Sequence, residues 1–160
     1  MMHRKEFLTT LFLAFAGHSV NANLFFELNP NDLLFGKGKP DLSNGEAPLI
    51  KPAQKAFDQM AEAAKKENID LKIVSGYRSF KRQKQIWNRK YSRNQKAGLE
   101  PINNIKKIIT FSSLPGTSRH HWGTEVDLID GSQKEEGDVL ITQKFQGEGP
   151  YTSLAIWMQE

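Results

Sequence analysis

The stretch TSRHHWGTEVDL, residues Thr117 to Leu128, places two histidines, a glycine and two carboxylates within a dozen positions. Imidazole and carboxylate groups bind zinc in proteins, and a catalytic zinc site has three protein ligands and an open position for water. A chain reversal at Gly123 would bring His120 and Asp127 together, because glycine tolerates the conformations that a sharp turn requires. A polar loop whose histidines bond to backbone groups remains the alternative, since this spacing alone is not a specific zinc signature.

The residues that follow the glycine, TEVDLID, alternate in polarity and predict a β-strand. Because successive side chains of a strand point to opposite faces, we expect Glu125 and Asp127 on the same side. From there Glu125 could orient a metal-bound histidine or accept a proton. Neighbouring side chains of an extended segment diverge, so His121 is a poor partner for His120 at a metal. The candidate metal ligands are therefore His120 and Asp127.

Periodic patterns along the rest of the chain predict an α+β fold with a small sheet. Helical spacing of apolar residues is found in four segments, at 51–68, 80–95, 101–109 and 151–160. A strand is predicted at 71–74, LKIV, and it breaks at the Ser-Gly that follows. The apolar stripe of the last helix, with Leu154 in it, is expected to stay exposed because no later segment of this sequence would cover it.

The N-terminus has the pattern of an export signal. Residues 1–22 combine a basic start, a short apolar run and small residues near Ala22, for which a buried N-terminal helix or a membrane anchor is the alternative. The whole chain has 160 residues, a net charge of +4 and no cysteine, so a disulfide framework is excluded. We therefore predict a signal peptide at 1–22 and a single domain at 23–160. The mature protein is expected in the periplasm or cell envelope, without stable membrane insertion.

Two motifs resemble those of a known enzyme family. SRHHWGTEVD, 118–127, is similar to the Ser-x-His-x-x-Gly-x-x-x-Asp motif of the zinc D-alanyl-D-alanine carboxypeptidases and dipeptidases of the VanY type, and SGYRSFKRQ, 75–83, looks like their Ser-Gly-Tyr-Arg-Ser element followed by Gln. The resemblance implies a D,D-peptidase (Hedgehog-like) fold, with a small antiparallel sheet flanked by helices. It also implies that His120 and Asp127 bind Zn2+ and that the protein hydrolyses the terminal D-Ala of peptidoglycan stem peptides.

The same resemblance implies roles for three further polar residues. Arg78 would be catalytic, stabilising the oxyanion or holding the substrate, whereas a surface ion pair is its ordinary alternative. Ser118 would bind the terminal carboxylate of the peptide, and a serine at this kind of position also commonly caps a turn. Gln83 would point into the substrate cleft, or else it is simply solvated.

One part of the family pattern has no counterpart in this sequence. The family carries a C-terminal Glu-x-Trp-His motif that supplies the general base and the third zinc ligand, whereas no histidine follows His121 here. We therefore expect a C-terminally incomplete domain with weak metal binding and little or no hydrolysis. A non-catalytic cell-envelope protein that holds the peptide through Arg78 and Ser118 is the alternative.

Two other patterns are assigned no function. The basic segment at 81–96 interleaves aromatic residues with lysines and arginines, as nucleic-acid-binding helices do. An amphipathic helix with inward aromatic residues explains the same pattern, and predicted export argues against a nucleic-acid partner. GKGK at 36–39 is not a phosphate-binding loop, because its glycine spacing differs and no Ser or Thr follows the lysine.

Overall fold

The computed structural model describes residues 30–159, so the predicted signal peptide at 1–22 lies outside the described residues. The helices are α1 Pro30–Leu34, α2 Lys51–Lys65, α3 Phe80–Lys96, α4 Pro101–Ile109 and α5 Thr152–Trp157, the strands are β1 Leu71–Ser75 and β2 Asp127–Asp130, and short 3-10 helices lie at Arg119–Trp122 and Thr142–Phe145. The two strands pair antiparallel. The predicted α+β fold, a small antiparallel sheet flanked by helices, is confirmed. Within the described range, no helix has the length and hydropathy needed to cross a bilayer.

The register of the sheet places the two sequence motifs side by side. Ser75 of β1 lies opposite Asp127 of β2, just after an irregularity that follows Ile73. β1 therefore ends where SGYRS begins, and β2 begins at the carboxylate of the second motif. The strand predicted over 124–130 is shorter than expected, because β1 offers no residue beyond Ser75 to pair with 124–126.

The loop after β1 is fixed by a close approach of two backbone segments. A Cβ atom at Gly76 would lie 2.6 Å from the carbonyl oxygens of both Ala47 and Pro48, so a larger residue does not fit here. The N–H of Tyr77 donates to the same Pro48 carbonyl at 2.7 Å. These contacts set the direction in which the chain leaves the sheet toward Arg78 and helix α3.

Helix α3 carries two side-chain amides that are buried. Gln83 and Asn94 are its buried residues, and the amide of Asn94 donates to the side chain of Asn104 in α4 at 2.9 Å. Ser79 caps the N-terminus of α3 by accepting a hydrogen bond from the N–H of Arg82 at 3.2 Å. Buried amides need hydrogen-bond partners, and the pairing of α3 with α4 supplies one for Asn94.

The last helix belongs to the hydrophobic core. Leu154 of α5 is 2% exposed and packs with Ala64 of α2 and Leu71 of β1, in a cluster that also contains Ile69 and Trp157. The expectation that the apolar stripe of this helix stays exposed is therefore wrong for Tyr151 and Leu154, whereas Met158 of the same stripe is 39% exposed. The partners of the helix precede it in the chain, and their apolar faces cover it without any later segment.

We predict that the core position on α5 stabilises the fold far more than its exposed neighbour. Leu154→Ala should lower the free energy of unfolding by about 2–5 kcal/mol, because it removes buried methyl groups and leaves a cavity. The control Ile156→Ala, at a side chain that is 55% exposed, should lower it by roughly 1 kcal/mol or less. Urea denaturation followed by circular dichroism measures both values. Equal effects of the two substitutions would contradict the packing of α5.

Candidate metal centre

Three side chains from the two motifs meet at one carboxylate oxygen. The Nε2 atom of His120 lies 3.4 Å from Oδ2 of Asp127, and Nη2 of Arg78 donates to the same oxygen at 2.6 Å. His120 is 6% exposed, and the side chains of Arg78 and Asp127 are 21% and 29% exposed. The structure thus brings the two predicted metal ligands and the predicted catalytic arginine into one partly buried site.

Backbone hydrogen bonds hold the turn at 119–123, which carries His120, against the loop at 76–79, which carries Arg78 and is called the arginine loop below. His120 lies in the 3-10 helix Arg119–Trp122, which ends at Gly123 with a φ of 67°, a left-handed conformation that favours glycine. The carbonyl of Gly123 accepts a hydrogen bond from the N–H of Ile50 at 3.0 Å. The carbonyl of His120 accepts one from the N–H of Arg78, also at 3.0 Å. The reversal expected at Gly123 is therefore present, and it carries His120 to the arginine loop.

The hydrogen bond at Nδ1 of His120 determines the protonation of the ring, and with it the group that Nε2 presents to Asp127. Nδ1 of His120 lies 2.8 Å from the carbonyl oxygen of Gly76, and a carbonyl only accepts, so Nδ1 carries a hydrogen. In the neutral ring, Nε2 is then a lone pair that faces a carboxylate. Such an arrangement requires a proton or a metal cation between the two atoms. A histidine whose other nitrogen donates to a backbone carbonyl is the usual form of a metal-bound histidine.

The spacing of these two donor atoms fits zinc. Two ligand atoms at zinc bond lengths and at the tetrahedral angle lie about 3.4 Å apart, and 3.4 Å is the distance from Nε2 of His120 to Oδ2 of Asp127. Glu125 is also close, with Oε2 4.0 Å from the same Nε2, but its other oxygen is paired with Arg119. Among residues 30–159, no three His, Cys, Asp or Glu side chains are grouped so that they could hold a metal ion. This part of the chain therefore offers two candidate zinc donors, those of His120 and Asp127.

His121 joins two backbone segments instead of facing the metal site. Its Nδ1 lies 2.5 Å from the carbonyl oxygen of Arg78, and its Nε2 accepts a hydrogen bond from the N–H of Gly116 at 3.0 Å. The ring is 1% exposed, and with both nitrogens engaged it has no donor atom left for a metal. These contacts agree with the prediction that His121 is not a ligand. The contact between His121 and the Arg78 carbonyl was not predicted from the sequence, because the two residues lie 43 positions apart. The Pro-Gly turn at Gly116 is a local signal, but it points to a turn and not to this contact.

Both predicted substrate-binding residues are buried. Ser118 is 3% exposed, and in the described structure its side chain makes no capping hydrogen bond to the 3-10 helix that follows. Gln83 is 1% exposed, so it is not a solvated side chain. Its amide nitrogen donates to the carbonyl of Ser113 at 2.8 Å, and its Oε1 has no hydrogen-bond partner among the described residues. The substrate roles of Ser118 and Gln83 stay predictions.

The charges around Asp127 favour its ionised form. Burial raises the pKa of the Asp127 carboxyl, but the hydrogen bond and charge of His120, together with those of Arg78, outweigh burial and hold this pKa below its ordinary value. In the metal-free site a proton on Nε2 of His120 therefore faces the ionised carboxylate, and a divalent cation that replaces this proton would find the donor set it needs.

We predict that Arg78→Gln raises the pKa of Asp127, because it removes one cationic partner while the burial remains. The lowered native pKa means that ionised Asp127 stabilises the fold above its unfolded pKa of about 3.9, and that this stability is lost as the pH falls through the native pKa. Carbon-13 NMR titration of the Asp127 carboxyl in metal-free wild type and variant measures the change. Arg119→Gln is the matched control, since that guanidinium pairs with Glu125. An unchanged pKa in Arg78→Gln would contradict the ion pair.

Comparison with known proteins extends these observations. Residues 46–160 match the family model described as VanY, D-alanyl-D-alanine carboxypeptidase. The bifunctional D-Ala-D-Ala dipeptidase and D-Ala-D-Ala carboxypeptidase VanXYC of Enterococcus gallinarum is 32% identical over 92 residues, which are 58% of this chain and 42% of that protein. YodJ of Bacillus subtilis (strain 168), which is named as a carboxypeptidase, is 37% identical over 84 residues, which are 52% of this chain and 28% of YodJ. This chain therefore spans less than half the length of either relative.

Two solved structures, each 20% identical to this chain, share its fold. A mutant form of the vancomycin-resistance D,D-pentapeptidase VanY from a VanB-type cassette, in complex with Zn(II), aligns with a TM-score of 0.54 over 62% of this chain and 57% of its own. VanYB in complex with D-alanine-D-alanine aligns with a TM-score of 0.55 over 60% of this chain and 54% of its own. The family model covers well over half of the 160 residues, so the chain belongs to the VanY family of D-alanyl-D-alanine carboxypeptidases.

Proposed function

We propose that this chain carries the metal site of a zinc-dependent D-alanyl-D-alanine carboxypeptidase that removes the terminal D-Ala of peptidoglycan stem peptides. The observation that carries the proposal is the 3.4 Å approach of His120 Nε2 to Asp127 Oδ2, with the Arg78 guanidinium on the same oxygen. The substrate named for the relative VanXYC, D-Ala-D-Ala, supports the choice of substrate. The Zn(II) bound by the VanY structure of the same fold supports the choice of metal.

In this proposal His120 and Asp127 hold zinc through Nε2 and Oδ2. Bound zinc supplies Lewis-acid chemistry, polarising a carbonyl oxygen and lowering the pKa of a coordinated water. The Gly76 carbonyl keeps the hydrogen of His120 on Nδ1, so that Nε2 remains available as a donor. The low pKa of Asp127 keeps its carboxylate ionised, and the residue therefore loses no proton when a cation arrives.

Arg78 is proposed to bind the oxygen of the scissile carbonyl as negative charge develops on it. The guanidinium is already oriented, because its Nε donates to Ser75 Oγ at 2.7 Å and its Nη2 donates to Asp127. A guanidinium has five N–H donors, so donors remain for a substrate oxygen. Donors that are fixed in advance stabilise developing charge most effectively, because they need no rearrangement during the reaction. Ser118 is proposed to hold the terminal carboxylate, and Gln83 to line the cleft.

Calorimetric titration of the metal-free protein with zinc tests the site directly. We predict that His120→Ala and Asp127→Ala each weaken zinc binding by more than about tenfold, since each variant loses one of the two donors. Asp58→Ala removes an exposed carboxylate from α2 and serves as the control with unchanged affinity. Binding that is equally strong in all four proteins would place the metal elsewhere.

The same four proteins, loaded with zinc, are assayed for D-Ala release from a peptide that ends in D-Ala-D-Ala. Slow release by the wild type and the Asp58→Ala control, because the described residues supply neither a third ligand nor a general base, with no release by the two ligand variants, is the expected result. Peptide binding without any release at saturating zinc would contradict the enzymatic proposal, and the site would then be that of a peptide-binding protein.

We also propose that residues 1–22 are a signal peptide and that the mature protein acts in the periplasm or cell envelope, where peptidoglycan lies. The basic start, short apolar run and small residues near Ala22 support this proposal. Expressed in a Gram-negative host, the protein should be recovered from the periplasm with an N-terminus near Asn23, as measured by intact mass. Recovery of the uncleaved 18.2 kDa chain from the cytoplasm would contradict export.

A further inference from the structure

A turn at Gly36, ahead of residues 46–160 that match the family, reaches the site from outside that match. Gly36 has a φ of +71°, and a Cβ atom there would lie 2.4 Å from Nδ1 of His121 and 2.9 Å from the backbone nitrogen of Phe80. These distances are shorter than non-bonded atoms tolerate. Glycine is therefore required here for two reasons, the left-handed backbone and the contact with the His121 ring.

The same turn is bonded to the start of helix α3. The carbonyl of Gly36 accepts a hydrogen bond from the N–H of Phe80 at 2.7 Å. Its own N–H donates to the carbonyl of Leu33 at 3.0 Å, and the N–H of Lys37 donates to the carbonyl of Asp32 at 2.7 Å. Helix α1 and this turn thus form one hydrogen-bonded unit, which is attached two residues after Arg78.

The His121 ring connects this unit to the arginine. On one side the ring meets Gly36. Its Nδ1 lies 2.5 Å from the Arg78 carbonyl and its Nε2 accepts from the N–H of Gly116 at 3.0 Å. The N–H of Arg78 is also held, by the carbonyl of His120 at 3.0 Å. Both backbone polar groups of Arg78 are therefore fixed by the two histidines, and the turn at Gly36 fixes one of those histidines.

We propose that helix α1 and the Gly36 turn are a positioning element of the site, acting through His121 on Arg78. The inference rests on the proposed function, because it assigns the element to the arginine of the peptidase site. The close contacts and hydrogen bonds of Gly36 involve Leu33, Phe80 and His121, and neither candidate metal ligand. The turn fixes the position of the His121 ring, and the ring fixes the backbone of Arg78. The position of the guanidinium depends on that backbone. Small misplacements of such a group reduce the rate strongly, by up to about a hundredfold for 1 Å.

The test compares Gly36→Ala with Gly137→Ala. Gly137 has a φ of +62° and nothing within 4 Å of its Cβ position, so the control introduces the same backbone strain without a contact. Nitrogen-15 NMR of the metal-free proteins follows the Nδ1–H of His121 and the Nε–H of Arg78. We expect both signals to shift or disappear in Gly36→Ala and to stay in place in Gly137→Ala. Where D-Ala release is measurable, kcat should fall by about tenfold or more in Gly36→Ala while KM changes little.

The two readouts separate failure of this inference from failure of the proposed function. If the wild type releases no D-Ala, the proposed function fails, and the NMR signals still decide whether the turn positions Arg78. Unchanged signals in a folded Gly36→Ala variant would overturn the inference. If Gly36→Ala does not fold, Leu33→Ala takes its place, because it loosens α1 without adding an atom to the turn. It must shift the same two signals, and their persistence would overturn the inference equally.

The relay through the ring has its own pair of variants. His121→Gln carries a donor and an acceptor that suit the Arg78 carbonyl and the Gly116 N–H, whereas His121→Leu carries neither. The Arg78 Nε–H signal should stay near its wild-type position in His121→Gln and move in His121→Leu. The same position in both variants would show that the ring does not set the arginine, and would overturn the relay.

Discussion

The arrangement of the site depends on compensating the charge of one partly buried carboxylate, Asp127. Its Oδ2 is approached by His120 at 3.4 Å and by Arg78 at 2.6 Å. An ionised group that is partly removed from water is stable only when it is paired and hydrogen-bonded. The two segments that carry its partners are therefore held toward the first residue of β2. The atom that would bind a metal cation is the same atom that orders the metal-free site.

Backbone contacts, more than long side chains, bring these partners to the carboxylate. The sheet ends with Ser75 opposite Asp127, and the close approach of Gly76 to two carbonyl oxygens turns the chain toward Arg78. One hydrogen bond between Arg78 and His120 then joins the loop to the turn. Each of these constraints needs a glycine or a backbone N–H at one defined place.

Local patterns in the sequence predicted the parts of the structure that local forces decide. Helices α2 to α5, β1 and the reversal at Gly123 follow from periodicity and glycine, and the two motifs gave His120 and Asp127 as partners. Helix α1, in a segment rich in Asn, Pro and Gly, was not predicted. Contacts between distant segments were beyond these patterns. Three core partners of Leu154, namely Ala64, Ile69 and Leu71, lie more than eighty residues upstream. The strand that contains Asp127 is short because β1 ends at Ser75. The role of the glycine at 36 is likewise visible only when His121 is placed against it.

The adjacent histidines show how a backbone environment assigns different functions to identical side chains. His120 meets a single carbonyl, that of Gly76, and this contact leaves Nε2 facing the carboxylate. His121 meets a carbonyl at Nδ1 and an N–H at Nε2, so its neutral ring is saturated by backbone groups. Sequence order places the two rings side by side, but the 3-10 turn separates their directions. The number of backbone groups that each ring meets, one or two, therefore determines which histidine remains able to bind a cation.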